Sequence, residues 1–381
     1  LAADSWWGDP GWSRFAQRAG RHQVRRLLVL DGEGAVCADA PLLISTPDTG
    51  SLFYDAPKMI GDERAFGDAD RLSATDRERY DSLRLRLPPI RAAQHPTVSL
   101  TAFGPHHGVR IAPRSRIPRE AVFAALPGLL AAAADELGCR SSGLLHLGAA
   151  EHAAMADTAA AQGYTPVLLG ADTVFELPDG ADYDTWLASL RSRRRTRLRK
   201  ELQDYRSQDI RTVVRQGPEA FTDELVELQA QLRAKHGVPT DPAAVRVEFD
   251  AIRDTVGEAC VVFTAESDGK VLGFVLGLLD PGRRVLHARS AGFSPEAMAA
   301  SCYFVLVYHD VPAWALDRGV RRVRFGMSTY EAKRARGCAL EPLSGYVRFS
   351  GPDAAVPHLA AEVQSRTEAG RLTALGAEVR W

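Results

Sequence analysis

The chain has 381 residues, 45% of them hydrophobic and 25% charged, with a formal net charge of −1. That length exceeds one ordinary core and predicts two domains. That charge excludes a global polycation, so any contact with phosphates must use a local patch. Five cysteines, Cys37, Cys139, Cys260, Cys302 and Cys338, are an odd number, far apart and without a C-x-x-C pair. This argues against a disulfide framework or a structural zinc and for a reducing cytoplasm. No run reaches the roughly 18 apolar residues of a membrane-spanning helix, and no secretory signal is read at the start. The chain begins with Leu, as a processed protein or a domain cut from a longer one would.

Taken in order, Trp12, Phe15 and Ala16 at helical spacing predict a short helix over Pro10–Ala19. Gln23–Leu30 and Ala35–Ser45 read as strands around the turn Asp31-Gly32-Glu33-Gly34. A charged run from Asp62 to Arg86 follows, with a helix expected over Ala74–Leu87, and then a strand over Thr97–Phe103. Ile117–Leu137 is Ala/Leu-rich and helical, opened by Pro118 and closed by Gly138. A strand over Gly143–Gly148, a helix over Glu151–Gln162 and a strand over Thr165–Leu177 complete the first half. The middle of the chain, Asp182–Tyr205, is a basic helix in which seven of the ten residues from Arg191 to Lys200 are cationic. The second half then repeats the order of the first. A helix over Glu219–Lys235 precedes strands over Ala259–Glu266 and Val271–Leu279, which flank the Asp268-Gly269 turn. A strand over Arg284–Ala291 leads to a helix over Ala299–Asp317, kinked by Pro312. Arg322–Gly326 is a short strand, Tyr330–Arg336 a helical turn or two, and Leu343–Phe349 a last strand, with a weak helix over Ala354–Glu368. Hairpins followed by alternating helices and strands imply mixed sheets covered by helices.

Several stretches together carry a resemblance. They are Tyr183-x-x-Trp186-Leu-x-x-Leu190-x-x-Arg193-Arg194-x-x-x-Leu198-Arg199-Lys200, the turn Asp268-Gly269-Lys270-Val271-Leu272-Gly273-Phe274, the run from Tyr303-Phe304 to Arg322, and Phe325-Gly326-x-x-x-Tyr330-Glu331-x-Lys333-x-x-x-Gly337. Their order and spacing resemble the Fem-type aminoacyltransferases, built from two copies of the GNAT acyltransferase fold. The resemblance implies an α/β (α+β) protein of two tandem GNAT-like lobes, each a mixed sheet flanked by helices. Residues 1–180 would form the acceptor-side lobe and 181–381 the donor-side lobe, opened by the basic helix. It further implies transfer of an aminoacyl group from charged tRNA to the amine of a small molecule or peptide, with no metal and no cofactor beyond the co-substrate.

Amide formation needs a placed neutral amine, donors for the developing oxyanion and an exit for a proton. No enzyme nucleophile is required, and no G-x-S-x-G is present. Lys333, which matches the family's loop lysine, is the first candidate for stabilising the oxyanion or the leaving ribose oxygen; its bland alternative is a solvated lysine. Tyr330 and Glu331 are candidates for positioning the amine, and Arg324 and Arg336 for holding phosphates. Arg289 and Tyr303 are candidates to line the cleft, although Tyr303 also sits on an apolar helix face. Arg191, Arg193, Arg194, Arg195, Arg197, Arg199 and Lys200 are candidates for tRNA or phosphate contact, because like charges in successive turns repel and a polyanion offsets that. At about 100° per residue, Arg191 and Arg194 fall on the face of Leu187, Leu190, Leu198 and Leu202, and are expected to be partly buried and paired. An acyl-CoA donor remains the alternative, since Arg289-Ser-Ala-Gly292-Phe-Ser294 partly matches the GNAT pyrophosphate loop. A non-catalytic binding protein for an anionic ligand is a second alternative. In the first lobe, Tyr54 and Lys58 are candidate acceptor contacts, His106-His107 a weak candidate metal pair, and Trp6-Trp7 a packing anchor.

Overall fold

A computed structural model describes all residues except 1, 4–5, 20–21, 50, 61–72, 181, 239, 281 and 380–381. The charged run that begins at Asp62 therefore lies partly outside the described residues. The chain folds as two compact units: residues 1–172 together with 341–381, and residues 173–340. This division does not coincide with a cut at 180/181. The last strand and the terminal helix, Ala355–Ala374, fold with the first unit, because strand Ala339–Phe349 pairs there with Ser141–Leu147.

In the first unit, hairpin Gln23–Leu30/Val36–Ser45 pairs antiparallel in register Gln23↔Ile44 to Val29↔Ala38. Thr97–Leu100 lies antiparallel to Val36–Ser45 and parallel to Ser141–Leu147, with Thr97 opposite Ser141 and Leu100 opposite Leu144. A parallel pair cannot be joined by a tight turn. Helix Arg119–Glu136 makes the crossover and buries Val122, Phe123, Leu126 and Leu130. These pack with Val98, Leu100, Leu144, Met155 and Tyr346 in one core.

The second unit repeats this plan. Hairpin Cys260–Ser267/Lys270–Asp280 turns at Asp268-Gly269, both with positive φ, as a two-residue turn of this kind requires. Val285–Phe293 follows antiparallel to the hairpin. Its start, Val285–His287, is parallel to Arg322–Arg324, which pairs antiparallel with Val174–Glu176. Strand Arg211–Gln216 is added at the outer edge of the hairpin, and helix Pro242–Val256 packs on Asp223–Lys235. Sequence periodicity had assigned neither of these two elements.

The crossover of the second unit is not one kinked helix. It runs as Cys302–Val305, a π-helical segment Leu306–Asp310, and Val311–Asp317. Pro312 stands in the first turn of the last piece, where its missing N–H costs nothing, and the wider π turn takes up the bond it cannot make. Around it, Phe175, Trp186, Leu198, Phe263, Tyr308 and Trp314 form the core.

Candidate functional site

The basic stretch is two helices rather than one. Asp182 caps Tyr183–Ser189, its Oδ1 accepting the Thr185 N–H at 2.7 Å. Leu190 and Arg191 then take extended backbone, with ψ of 150° and 141°, and Ser192–Arg206 begins. Arg195 holds the break: its Nη1 donates to the carbonyls of Ala188 and Leu190, both at 2.9 Å, which the first helix leaves without partners. Trp186, Leu187, Leu198 and Tyr205 anchor the two helices in the core.

The break corrects the expected placement of Arg191. A 100° step does not continue through extended residues, so Arg191 leaves the apolar face and is exposed. Arg193, Arg197, Arg199 and Lys200 are exposed as well, and Arg195 is half-buried. Arg194 is half-buried as expected, but not paired as expected. Among the described residues it has no carboxylate partner, its Nε is buried without a hydrogen bond, and its guanidinium stands 5.7 Å from the centre of the Phe175 ring. Burial depresses its pKa, and the neighbouring charge of Arg334 adds to this.

These side chains line a cleft of about 760 Å³. Arg191, Arg193, Arg194 and Arg197 come from the basic stretch, while Arg334, Ala335 and Gly337 come from the loop after strand Arg322–Arg324. Among the described residues, none of Arg191, Arg193, Arg194 and Arg197 has an acidic partner. Arg334 is anchored through Nη1 to the Cys338 carbonyl at 3.1 Å. Five guanidiniums around one solvent-open space suit a ligand with several phosphates.

Lys333, in the same loop, has a different task from the one its spacing suggests. It is 5% exposed, and its ammonium donates to the carbonyls of Phe325, Gly326 and Met327 at 2.9, 3.1 and 3.2 Å. Three donors for three carbonyls leave none for an oxyanion. The loop it holds contains Gly326, Ser328 and Thr329, all at positive φ, a conformation that costs about 1 kcal/mol or more per non-glycine residue. Tyr330 is buried and Glu331 exposed on helix Tyr330–Ala335. Arg336 is also a packing group rather than a phosphate ligand. It is 6% exposed, pairs with Glu201 of the basic helix at 3.0 Å and lies 3.7 Å over the Phe304 ring.

Elsewhere in the unit, Arg289 is half-buried and faces Glu248 at 3.4 Å, a carboxylate it shares with Arg233 at 2.7 Å. It is the extra residue where the register of its strand shifts. Arg324 is half-buried beside His287, which burial and that charge depress to about 3. Tyr303 packs against the core and edge-on to Phe293. The Arg289–Ser294 stretch does not form a phosphate cradle. Gly292 is needed because a β-carbon there would meet Leu228 and Phe274. Ser294 spends its hydroxyl on the Ala297 N–H, and Pro295 opens the helix with no donor.

The π segment carries groups that periodicity did not single out. His309 Nε2 donates to the Leu198 carbonyl at 2.9 Å, so Nδ1 accepts from the Tyr183 hydroxyl and the ring is neutral. Both helices of the basic stretch are thereby fastened to one turn. Next to it, Asp310 accepts from Thr212 at 2.6 Å, and burial raises its pKa to about 6. The only sequence signal was Pro312, which marked an irregular helix without naming the residues it would aim inward.

In the first unit, His106 and His107 turn their Nδ1 atoms to the N–H groups of Gly108 and Val109, a turn-capping use. Lys58 binds the Pro47 carbonyl at 2.6 Å, and Tyr54 packs on Phe103 and His146. Trp7 meets Trp12 edge-on. No helix among the described residues is long and apolar enough to cross a membrane.

A sequence model of the FemAB-like family, described as peptidoglycan biosynthesis/recognition, matches residues 96–363. No curated protein sequence matches the chain. Among solved structures, similarity is found to a C-terminal domain (DUF2156) assigned to a lysylphosphatidylglycerol synthetase of Agrobacterium fabrum. The TM-score is 0.53 at 14% identity, covering 93% of this chain and 92% of that one. A conserved protein of unknown function from Bacteroides thetaiotaomicron gives 0.51 at 9%, over 91% and 93%. L-PGS from Bacillus licheniformis gives 0.50 at 10%, over 94% and 98%. At such identities these are likenesses of fold. The fold class is the anticipated one, α/β with mixed sheet flanked by helices.

Proposed function

The chain belongs to the FemAB-like family and is an acyltransferase, and from that premise we propose that it transfers an aminoacyl group from charged tRNA to the amine of a small molecule or peptide. The observation that carries the reading is the arginine cleft of the second unit, where four cations lack acidic partners and a fifth is held by a carbonyl. Cations brought together without counter-charges repel one another, and the phosphates of a nucleic-acid end offset that repulsion. In the reaction, the amine nitrogen attacks the ester carbonyl and the C–N bond forms. The C–O bond to the ribose breaks, and the proton lost by nitrogen ends on the ribose oxygen. The chain's contribution is placement: the arginines hold the donor, Lys333 fixes the loop that carries Arg334, and Glu331 on the same short helix is assigned the acceptor's amine. No cofactor is invoked. Charged tRNA is a cytoplasmic substrate, and the reaction is assigned there.

The test is to incubate the protein with candidate amines and either a pool of charged tRNA or acetyl-CoA, and to look for a new amide by mass. A product abolished by ribonuclease treatment of the donor is expected. A product formed with acetyl-CoA alone would overturn the tRNA assignment, and no product with any donor would favour a non-catalytic binding protein for an anionic ligand.

A further inference from the structure

Resting on the acyl-transfer reading above, we propose that Arg194 is a catalytic residue, the guanidinium that stabilises the oxyanion formed when the acceptor amine attacks the donor's carbonyl. The arginines of the cleft differ in what they offer a ligand. Arg191, Arg193 and Arg197 are exposed, and each is free to turn its whole fork, an Nε–H beside an Nη–H, to a phosphate. Arg194 has lost that fork. It is half-buried, and its Nε is buried without a hydrogen bond. It still lines the cleft, so only its Nη end is left to meet a ligand. The inner N–H groups of that end, one from each nitrogen, converge on a single oxygen.

Its charge is also set apart. Other well-covered arginines of this unit meet a carboxylate: Arg233 and Arg289 share Glu248, and Arg336 has Glu201. Arg194 has none among the described residues, and burial depresses its pKa. A carboxylate beside it would cancel the charge it presents. A cation partly stripped of water and left unneutralised acts most strongly on a charge that appears only as the reaction proceeds. The donor's carbonyl lies beyond its last phosphate. Exposed arginines that hold the phosphates therefore leave the carbonyl to the least hydrated arginine of the cleft.

Gly337 makes room for this group. It has φ of +97°, and a β-carbon on it would overlap the Arg194 guanidinium. The missing side chain lets Arg194 lie against the loop, and Gly337 is thus its positioning residue.

In the step itself, the amine nitrogen attacks the carbonyl carbon and the carbonyl's π pair moves onto oxygen, which accepts from the Nη groups of Arg194. When the pair returns, the C–O bond to the ribose breaks, and the proton lost by nitrogen ends on the ribose oxygen. Arg194 stays protonated throughout, and no further reactant is needed.

The experiment measures kcat and the donor's KM for the full chain, with charged tRNA and the amine that gives product in the assay above. Arg194→Ala is expected to lower kcat about a hundredfold, the size of one lost oxyanion donor, well beyond any rise in KM. Arg194→Lys keeps the charge but not the paired N–H groups, and its kcat falls less. Gly337→Ala, which displaces the guanidinium, also loses on kcat. In Arg193→Ala the loss falls on KM, as for a group that binds ground state and transition state alike. Far-UV circular dichroism confirms that the variants are folded; where Arg194→Ala or Gly337→Ala does not fold, the split between kcat and KM in Arg194→Lys decides. A loss confined to KM in the Arg194 variants overturns the inference, makes Arg194 a phosphate ligand and leaves the tRNA reading standing. Turnover with acetyl-CoA in place of charged tRNA overturns the tRNA reading, and the same kcat loss with that donor upholds Arg194, because a thioester carbonyl passes through the same kind of oxyanion. No turnover with any donor overturns both.

Discussion

The two units share a plan and differ in one surface, a cleft of the second unit lined by arginines. In the first, buried charges are matched: Asp39, 3% exposed, takes Arg110 and Arg26 together, and Glu151 takes Arg119. At the end of its parallel strand pair stand His146 and His107, kept neutral by burial at about 3 and about 4. In the second unit a helix and a short helical loop line one cleft with arginines, and among the described residues Arg191, Arg193, Arg194 and Arg197 have no acidic partner. The crossover helices diverge likewise. Arg119–Glu136 runs unbroken through Pro127, while its counterpart opens into a π segment that fastens the basic helices. The shared plan is scaffold; the difference in charge is where ligand chemistry enters.

That contrast can be broken deliberately. The largest effect is expected from Asp39→Ala, which strands two half-buried arginines. It should cost about 3 kcal/mol of stability by denaturant titration and leave the affinity of the intact fold for polyanions unchanged. A loss of tRNA affinity at full stability would mean that the first unit also binds the donor. Acid comes next. His107 and His146 refuse protons that the unfolded chain accepts below about pH 6.5, so each loses about 1.4 kcal/mol of stability per pH unit down to about pH 4. His152 and His358 are depressed in the same direction. In the second unit His287 and His309 act likewise, but Asp310, raised to about 6 by burial, binds a proton in the folded state over the same window and offsets one of them. Amide exchange followed from pH 6.5 to 5, corrected for intrinsic rates, should therefore show the first unit losing protection sooner. Equal loss in both would contradict the assigned burial of its histidines.

Smaller effects sharpen the picture of the second unit. Lys333→Met leaves three loop carbonyls without their donor and should lower stability by about 2 kcal/mol, with turnover falling in parallel. If turnover vanished while the melting temperature stayed put, Lys333 would belong to the chemistry after all. Tyr183→Phe removes one buried hydrogen bond to His309 and should cost about 1 kcal/mol, with donor affinity weakened a few-fold through the loosened basic helices.

Much of this scaffold was legible. Gly138, Gly163, Gly237 and Gly319 each stop a helix at positive φ, and Asp268-Gly269 makes the hairpin turn that its composition announces. Arg211–Gln216 is hard to read because Arg211, Arg215 and Gln216 blur its alternation, and the only local mark of helix Pro242–Val256 is its Asp241-Pro242 start, where Asp241 caps Ala243. The site was less legible. Nothing in Leu190-Arg191-Ser192 signals a break, since the carbonyls it frees are satisfied by Arg195 from the next helix. Lys333 and Arg336 resemble ligand-binding cations in sequence, and only tertiary contacts reveal carbonyls around one and Glu201 beside the other. Gly337 was part of a recognised motif, but its role depends on a side chain more than a hundred residues away.

The central claim is that the arginine cleft binds the phosphates of the donor, and the salt dependence of tRNA binding tests it most directly. Each phosphate neutralised should contribute about −0.7 to −0.9 to the slope of log K against log salt. The wild-type protein should show a steep slope, and Arg191→Ala, Arg193→Ala and Arg197→Ala combined should flatten it by about two to three with no change in melting temperature. An unchanged slope in that triple variant would contradict the account.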